Sequence, residues 1–187
     1  MSVYSFACDE ENKNVDTKTT TFLTARWRDL LMLNYDSDAA ILKPRVPCGT
    51  ELDVTDDSAL VSLVGFRCLN TRLLGVPVPF HRNFDEINLR FYVRRRVDGQ
   101  WRRGVVFIKE IVQSLAVAAV ARLWYNENYV TAPMSSAISL PDAGVNSEGR
   151  AEYRWGEGLR NSMTAAFGGL PNLPVAGSEE GFVTEHY

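Results

Sequence analysis

From Glu86 to Arg94 apolar and polar side chains alternate. Ile87, Leu89, Phe91 and Val93 fall on one side, and Glu86, Asn88, Arg90, Tyr92 and Arg94 on the other. A period of two residues defines a β-strand with two unlike faces. A second β-rich run, WRRGVVFIK at 101–109, follows after Val97-Asp98-Gly99-Gln100, and Asp-Gly is the residue pair a tight hairpin turn demands. Residues 86–96 and 101–109 are therefore predicted to be antiparallel neighbours. Upstream, ALVSLVGFRCLN is apolar on both faces and reads as a central strand, while Leu30 to Tyr35 and RVPCGTELDV supply further strand material. Asp38 is a good N-cap for a short helix that Pro44 would stop.

Downstream, Val112, Leu115, Ala116, Ala119 and Leu123 recur at helical spacing in an alanine-rich run, which predicts a helix over 112–124. If the apolar side of the 86–96 strand points outward, this helix is its expected cover. Residues 131–149 read as a loop, rich in Pro, Ser and Gly. AEYRW and NSMTAAF form a second predicted hairpin turned by Gly156 and Gly158, and Ser178 caps a last helix. Strands dominate and helices are inserts, so the fold class is mainly β, with a twisted or closed antiparallel sheet.

The 187 residues, 45% of them hydrophobic, suit one core. Residues 1–21 are polar and read as a loosely attached tail, and 22–187 as a single domain. A net charge of −3 offers no general attraction to nucleic acid or to an anionic membrane, so neither is an expected partner. Cys8, Cys48 and Cys68 are odd in number and widely spaced, which fits neither a disulfide framework nor a zinc site. The expectation is a cytoplasmic protein without metal or cofactor. No apolar run approaches the roughly 18 residues of a membrane span, and the first residues lack the apolar stretch of a signal peptide.

The chemistry-bearing residues gather around the alternating strand. Its polar side is solvated if the sheet is one-sided, and lines a cavity if the sheet closes on itself. In the second case Glu86 is a candidate acid or base, Arg90 and Tyr92 are candidate ligand contacts, and each charge needs a partner. His81, in HRNFDE, titrates near neutrality; the plainer reading is a loop bonding its own backbone through Asn83 and Asp85. Lys109 is a nucleophile if desolvated and otherwise an ordinary strand-end lysine beside Glu110. Arg94, Arg95, Arg96, Arg102 and Arg103 surround the hairpin turn. They suit either a phosphate backbone or a solvated tip whose charges discourage edge pairing. There is no HExxH and no Gly-x-Ser-x-Gly.

Several stretches together carry a family resemblance: FLTARWRDLLMLNYDSD, ILKPRVPCGTELD, SLVGFRCLNTRLLGVPVPFHRNFDEINLRFYVRR, WRRGVVFIKEIV, ARLWYNENY and GSEEGFVTEHY. Over about residues 22–187 they resemble the YqjF-like family of uncharacterised conserved proteins, grouped with the acetoacetate decarboxylase-like superfamily. The resemblance implies a cone-shaped, mostly antiparallel β-barrel around a small-molecule cavity, with a few flanking helices. It also implies a chain shorter at its C-terminus than is usual. In the decarboxylases a Schiff-base lysine stands just after a proline, six residues past a glutamate. Here Lys109-Glu110 matches best, Ala116 stands at the lysine position and Leu115 at the proline, and no lysine follows Lys109. Acetoacetate decarboxylation by that route is not expected. Arg28, ahead of Val46-Pro47, aligns with a superfamily arginine. The leading reading is a barrel binding a small anionic or carbonyl-bearing molecule. In it Glu86, Lys109 and Glu110 carry any catalysis, and Arg28, His81, Arg90 and Tyr92 contact the ligand. The alternative is a non-enzymatic structural or interaction protein.

Overall fold

The computed structural model describes residues 23–55, 58–73, 75–77, 82–114, 128–141, 148–168, 173–175, 177–184 and 186. In chain order the elements are β1 (Leu23–Ser37), α1 (Ala39–Leu42), β2 (Glu51–Leu52), β3 (Val54–Thr55), β4 (Ser58–Leu73) and β5 (Val76–Pro77). Then come β6 (Phe84–Val97), β7 (Gln100–Val112), β8 (Tyr129–Thr131), β9 (Met134–Ser139), β10 (Gly149–Trp155), β11 (Asn161–Phe167) and α2 (Glu179–Thr184). The larger sheet runs β1-β4-β6-β7-β8, with β2 on β6 and both β3 and β5 on β4; the smaller runs β11-β10-β9. All pairs are antiparallel except β7 with β8. Mostly antiparallel β-structure is as expected, and neither sheet closes on itself among the described residues.

The hairpin forms as its turn chemistry requires. Val97 pairs with Gln100, and Asp98 (φ 51°) and Gly99 (φ 78°) take the two left-handed positions of the turn. The doubly apolar β4 lies between β1 and β6. The second hairpin pairs β10 with β11 around Gly156 (φ 89°) and Gly158 (φ 61°). Both caps act as expected: Ala40 N donates to Asp38 Oδ1 at 2.8 Å, and Gly181 N donates to Ser178 Oγ at 3.1 Å.

Two sequence expectations need correction. The stretch 131–149 contains β9, which pairs along β10 from Met134 opposite Trp155 to Ser139 opposite Arg150. Small polar residues gave no strand signal there, and pairing with a neighbour imposes the conformation. Val112 ends strand β7 instead of starting a helix. The rest of the expected helix, from 115, lies outside the described residues, as does the tail.

Both faces of β6 are buried. Ile87 packs with Leu31 and with Met134, Ala151, Tyr153 and Met163 of the smaller sheet, while Phe91 and Val93 pack with Leu42 of α1 and Ala59. Burying each such side chain is worth roughly 1.5–3 kcal/mol. Among the described residues the smaller sheet and α1 cover this side of β6; the expected cover from 112–124 lies, from 115 on, outside the described residues. Gly65 lets the sheets approach, since a Cβ at that position would lie 2.9 Å from the Tyr153 ring. Tyr153 OH donates to the Asp29 carbonyl at 2.6 Å and ties the same contact.

Candidate functional site

Strand register gathers the polar side chains. Across β4 and β6, Ser62 faces Arg90, Val64 faces Asn88 and Phe66 faces Glu86; across β6 and β7, Asn88 faces Glu110. Directly opposed residues share a face of the sheet. Arg90 and Tyr92 are 1% exposed, Asn88 and Glu110 2%, and Glu86 6%, so this face is protein interior and not solvated surface.

At one end of the face, Tyr92 packs against Phe182 of α2, with ring centroids 5.3 Å apart. Ser62 Oγ lies 2.6 Å from Asn34 Oδ1 and 2.6 Å from Tyr92 OH. Ser62 has a single hydrogen, and Asn34 Oδ1 is acceptor-only, so Tyr92 is the donor to Ser62. Asn34 Nδ2 in turn donates to Glu179 Oε1 at 2.7 Å, which brings α2 into the chain. The Tyr92 hydroxyl proton is therefore engaged inside the protein, which weakens its expected role as a ligand contact. Arg90 stands beside it, its Nη2 3.9 Å from Met32 Sδ and its Cζ 5.7 Å from the Tyr92 ring centroid.

At the other end, Tyr129 OH is 3.4 Å from Glu86 Oε2. Between the two ends, Asn88 Oδ1 is buried and accepts no hydrogen bond among the described residues. Cys68 lies on the neighbouring strand. Burial pushes its thiol well above the usual range, the charges of Glu86 and Asp85 push it further, and a Trp27 hydrogen bond offsets only part of this. It is a protonated packing residue and not a nucleophile.

Of the residues the sequence nominated, the structure puts Glu86, Arg90, Tyr92 and Glu110 on one buried face, spread along β6 and β7. Lys109, opposite Leu89, is exposed, as is Arg28, and His81 lies outside the described residues. A buried guanidinium can hold an anion or polarise a carbonyl oxygen, and a buried carboxylate on the same face can accept or deliver a proton.

Sequence reasoning missed a second buried cluster. Asp53, between β2 and β3, receives His186 Nε2 at 3.0 Å, Arg103 Nε at 3.0 Å and Arg94 Nη1 at 3.5 Å. His186 Nδ1 is 2.7 Å from the Phe182 carbonyl, so both ring nitrogens face acceptors. Burial pushes the Asp53 carboxyl up, but the His186 hydrogen bond and the charges of Arg103, His186 and Arg94 outweigh it and hold it below its ordinary range. Two of the hairpin arginines thus point at an internal carboxylate. The one sequence signal was the register, which puts Arg94 opposite Arg103. Among the described residues no group of three His, Cys, Asp or Glu is placed to hold a metal, and no helix is long and apolar enough to cross a membrane.

The fold matches solved structures of the acetoacetate decarboxylase type. Acetoacetate decarboxylase from Legionella pneumophila superposes with a TM-score of 0.50 at 14% identity, over 81% of this chain and 60% of that one. The enduracididine biosynthesis enzyme MppR with HEPES bound gives 0.52 at 13%, over 79% and 56%. By sequence, residues 24–187 match the DUF2071 family, described as an uncharacterized conserved protein, and the chain belongs to that family. The uncharacterized protein YqjF of Bacillus subtilis is 29% identical over 128 residues, 67% of this chain and 51% of YqjF. The chain spans about half the length of that relative.

Proposed function

We propose that the larger sheet is the wall of a cone-shaped barrel whose interior face binds a small anionic or carbonyl-bearing molecule. Arg90 holds the negative charge or polarises the carbonyl, Glu86 or Glu110 moves a proton, and Tyr92 with Ser62 fixes the floor of the site. The observation that carries this reading is Asn88: the residue is 2% exposed and its amide oxygen is buried without a hydrogen bond among the described residues, on the same face as two carboxylates and a guanidinium. Leaving a buried polar atom unsatisfied costs about 1–3 kcal/mol, and such arrangements concentrate at functional sites. The fold neighbours lend support, one of them being named for a small keto acid.

Acetoacetate decarboxylation through a lysine amine is not the reading favoured: Ala116 stands where the resemblance expects the Schiff-base lysine, and the described lysines, Lys43 and Lys109, are exposed.

The test is a thermal-shift screen of two- to six-carbon carboxylates and keto acids. A ligand at about one hundred times its Kd stabilises by about 2.7 kcal/mol, which raises Tm by several degrees. That rise is expected in the unaltered protein and is lost in Arg90→Met. A screen with no hit would refute the reading and favour the structural alternative, which the fully bonded Asn34-Ser62-Tyr92 chain suits.

A further inference from the structure

At the far end of β4, some 30 Å from Ser62 at ~3.3 Å per residue, the surface folds inward. A concavity of about 360 Å³ is lined there by Thr24, Ala25, Arg26, Asn70 and Arg72. The pairing of β1 with β4 slips at this point: Thr24 faces Arg72 and Arg26 faces Leu69, so Asn70 and Thr71 together oppose the single Ala25. Asn70 takes a left-handed φ of 56°, which asparagine tolerates better than most residues. The bulge brings two guanidiniums to one hollow, and a third hangs at its edge, where Arg82 Nη2 donates to Asn70 Oδ1 at 3.4 Å.

Arg26, Arg72 and Arg82 make no ion pair among the described residues, as is true also of Arg28, Arg45, Arg96, Arg102, Arg150 and Arg160; what sets the three apart is that they meet at one hollow. No carboxylate stands among the described lining residues, in a chain whose net charge is −3. Arg72 uses one nitrogen on the Gly75 carbonyl at 3.3 Å, which fixes the side chain and leaves its other N–H groups to the hollow.

We propose that this concavity is a recognition site for a phosphorylated small molecule, separate from the buried face around Arg90. Two guanidinium forks with an amide and a hydroxyl suit a dianionic tetrahedral oxyanion, which accepts several charge-assisted hydrogen bonds at once; a monoanionic carboxylate satisfies fewer. The hollow, about 360 Å³, has room for an organic body beside the phosphate.

The test follows arginine side-chain N–H resonances while the protein is titrated separately with inorganic phosphate, glucose 6-phosphate and acetate. Saturable shifts at Arg26 and Arg72 are expected with both phosphates, tightest with the sugar phosphate, and little response to acetate. The double variant Arg26→Gln, Arg72→Gln is expected to bind roughly tenfold more weakly or worse. The phosphate-induced shifts at Arg26 and Arg72 are expected to persist in Arg90→Met whatever that variant does to anion binding at the buried face, so the two sites stand or fall apart. Shifts spread evenly over the exposed arginines, equal binding by the double variant, or binding of inorganic phosphate without the sugar phosphate would each overturn the proposal. Should the double variant fail to fold, Arg26→Gln carries the test, since Arg26 is exposed and makes no hydrogen bond among the described residues; it is expected to weaken binding in the same direction.

Discussion

Nε2 of His186 lies 3.0 Å from Oδ2 of Asp53, joining residues 133 positions apart, and both side chains are buried. The contact fixes the end of α2 against Tyr92, whose ring centroid is 4.8 Å from that of His186. Asp53→Ala leaves His186, Arg94 and Arg103 facing an empty position. Breaking a buried pair in this way typically costs about 3–5 kcal/mol. Urea unfolding at neutral pH is expected to show a loss of that order; a loss below about 1 kcal/mol would mean the cluster holds nothing in place.

The same cluster makes a pH prediction. The Asp53 carboxyl is held below its ordinary value of 3.8, so the folded state binds fewer protons there than the unfolded state. Its contribution is therefore full above 3.8 and fades as the pH falls through the lower folded value. The stability gap between the unaltered protein and Asp53→Asn should be wide at about pH 5 and narrower at about pH 3. A gap unchanged between the two would contradict the assignment.

The hairpin, the central β4, both helix caps and the shared face of Glu86, Arg90 and Tyr92 were legible in the sequence, because each follows from a period or a turn residue within one short window. What was not legible depended on partners far along the chain. β9 becomes a strand only by lying beside β10. Asp53 and His186 meet only because α2 folds back onto the sheet, and nothing near either residue signals the other. Nor does the sequence name the smaller sheet as a neighbour of Ile87, because periodicity says that a side chain is buried but not by what.

Gly65→Ala tests how closely the two sheets meet. The added methyl would lie 2.9 Å from Tyr153 Cδ2 and 3.0 Å from Ile87 Cδ1, both buried. Overpacking of this kind costs about 1–3 kcal/mol, measurable as a lower denaturant midpoint at unchanged slope. A neutral result would show that the sheets can slide apart.

Gly99→Val tests the turn. Gly99 holds φ 78°, and a β-branched residue in the left-handed region is strained by about 1–2 kcal/mol. The loss is expected in stability; because the hairpin tip is remote from the buried face, ligand affinity should not change.

Calorimetric titration of the unaltered protein and Arg90→Met with the carboxylate giving the largest thermal shift bears most directly on the buried-face reading. Charge-assisted hydrogen bonds are worth about 1.5–3 kcal/mol, so Kd should rise roughly tenfold to a hundredfold. An unchanged Kd in a folded Arg90→Met variant would show that the face around Asn88 is interior structure and not a binding site.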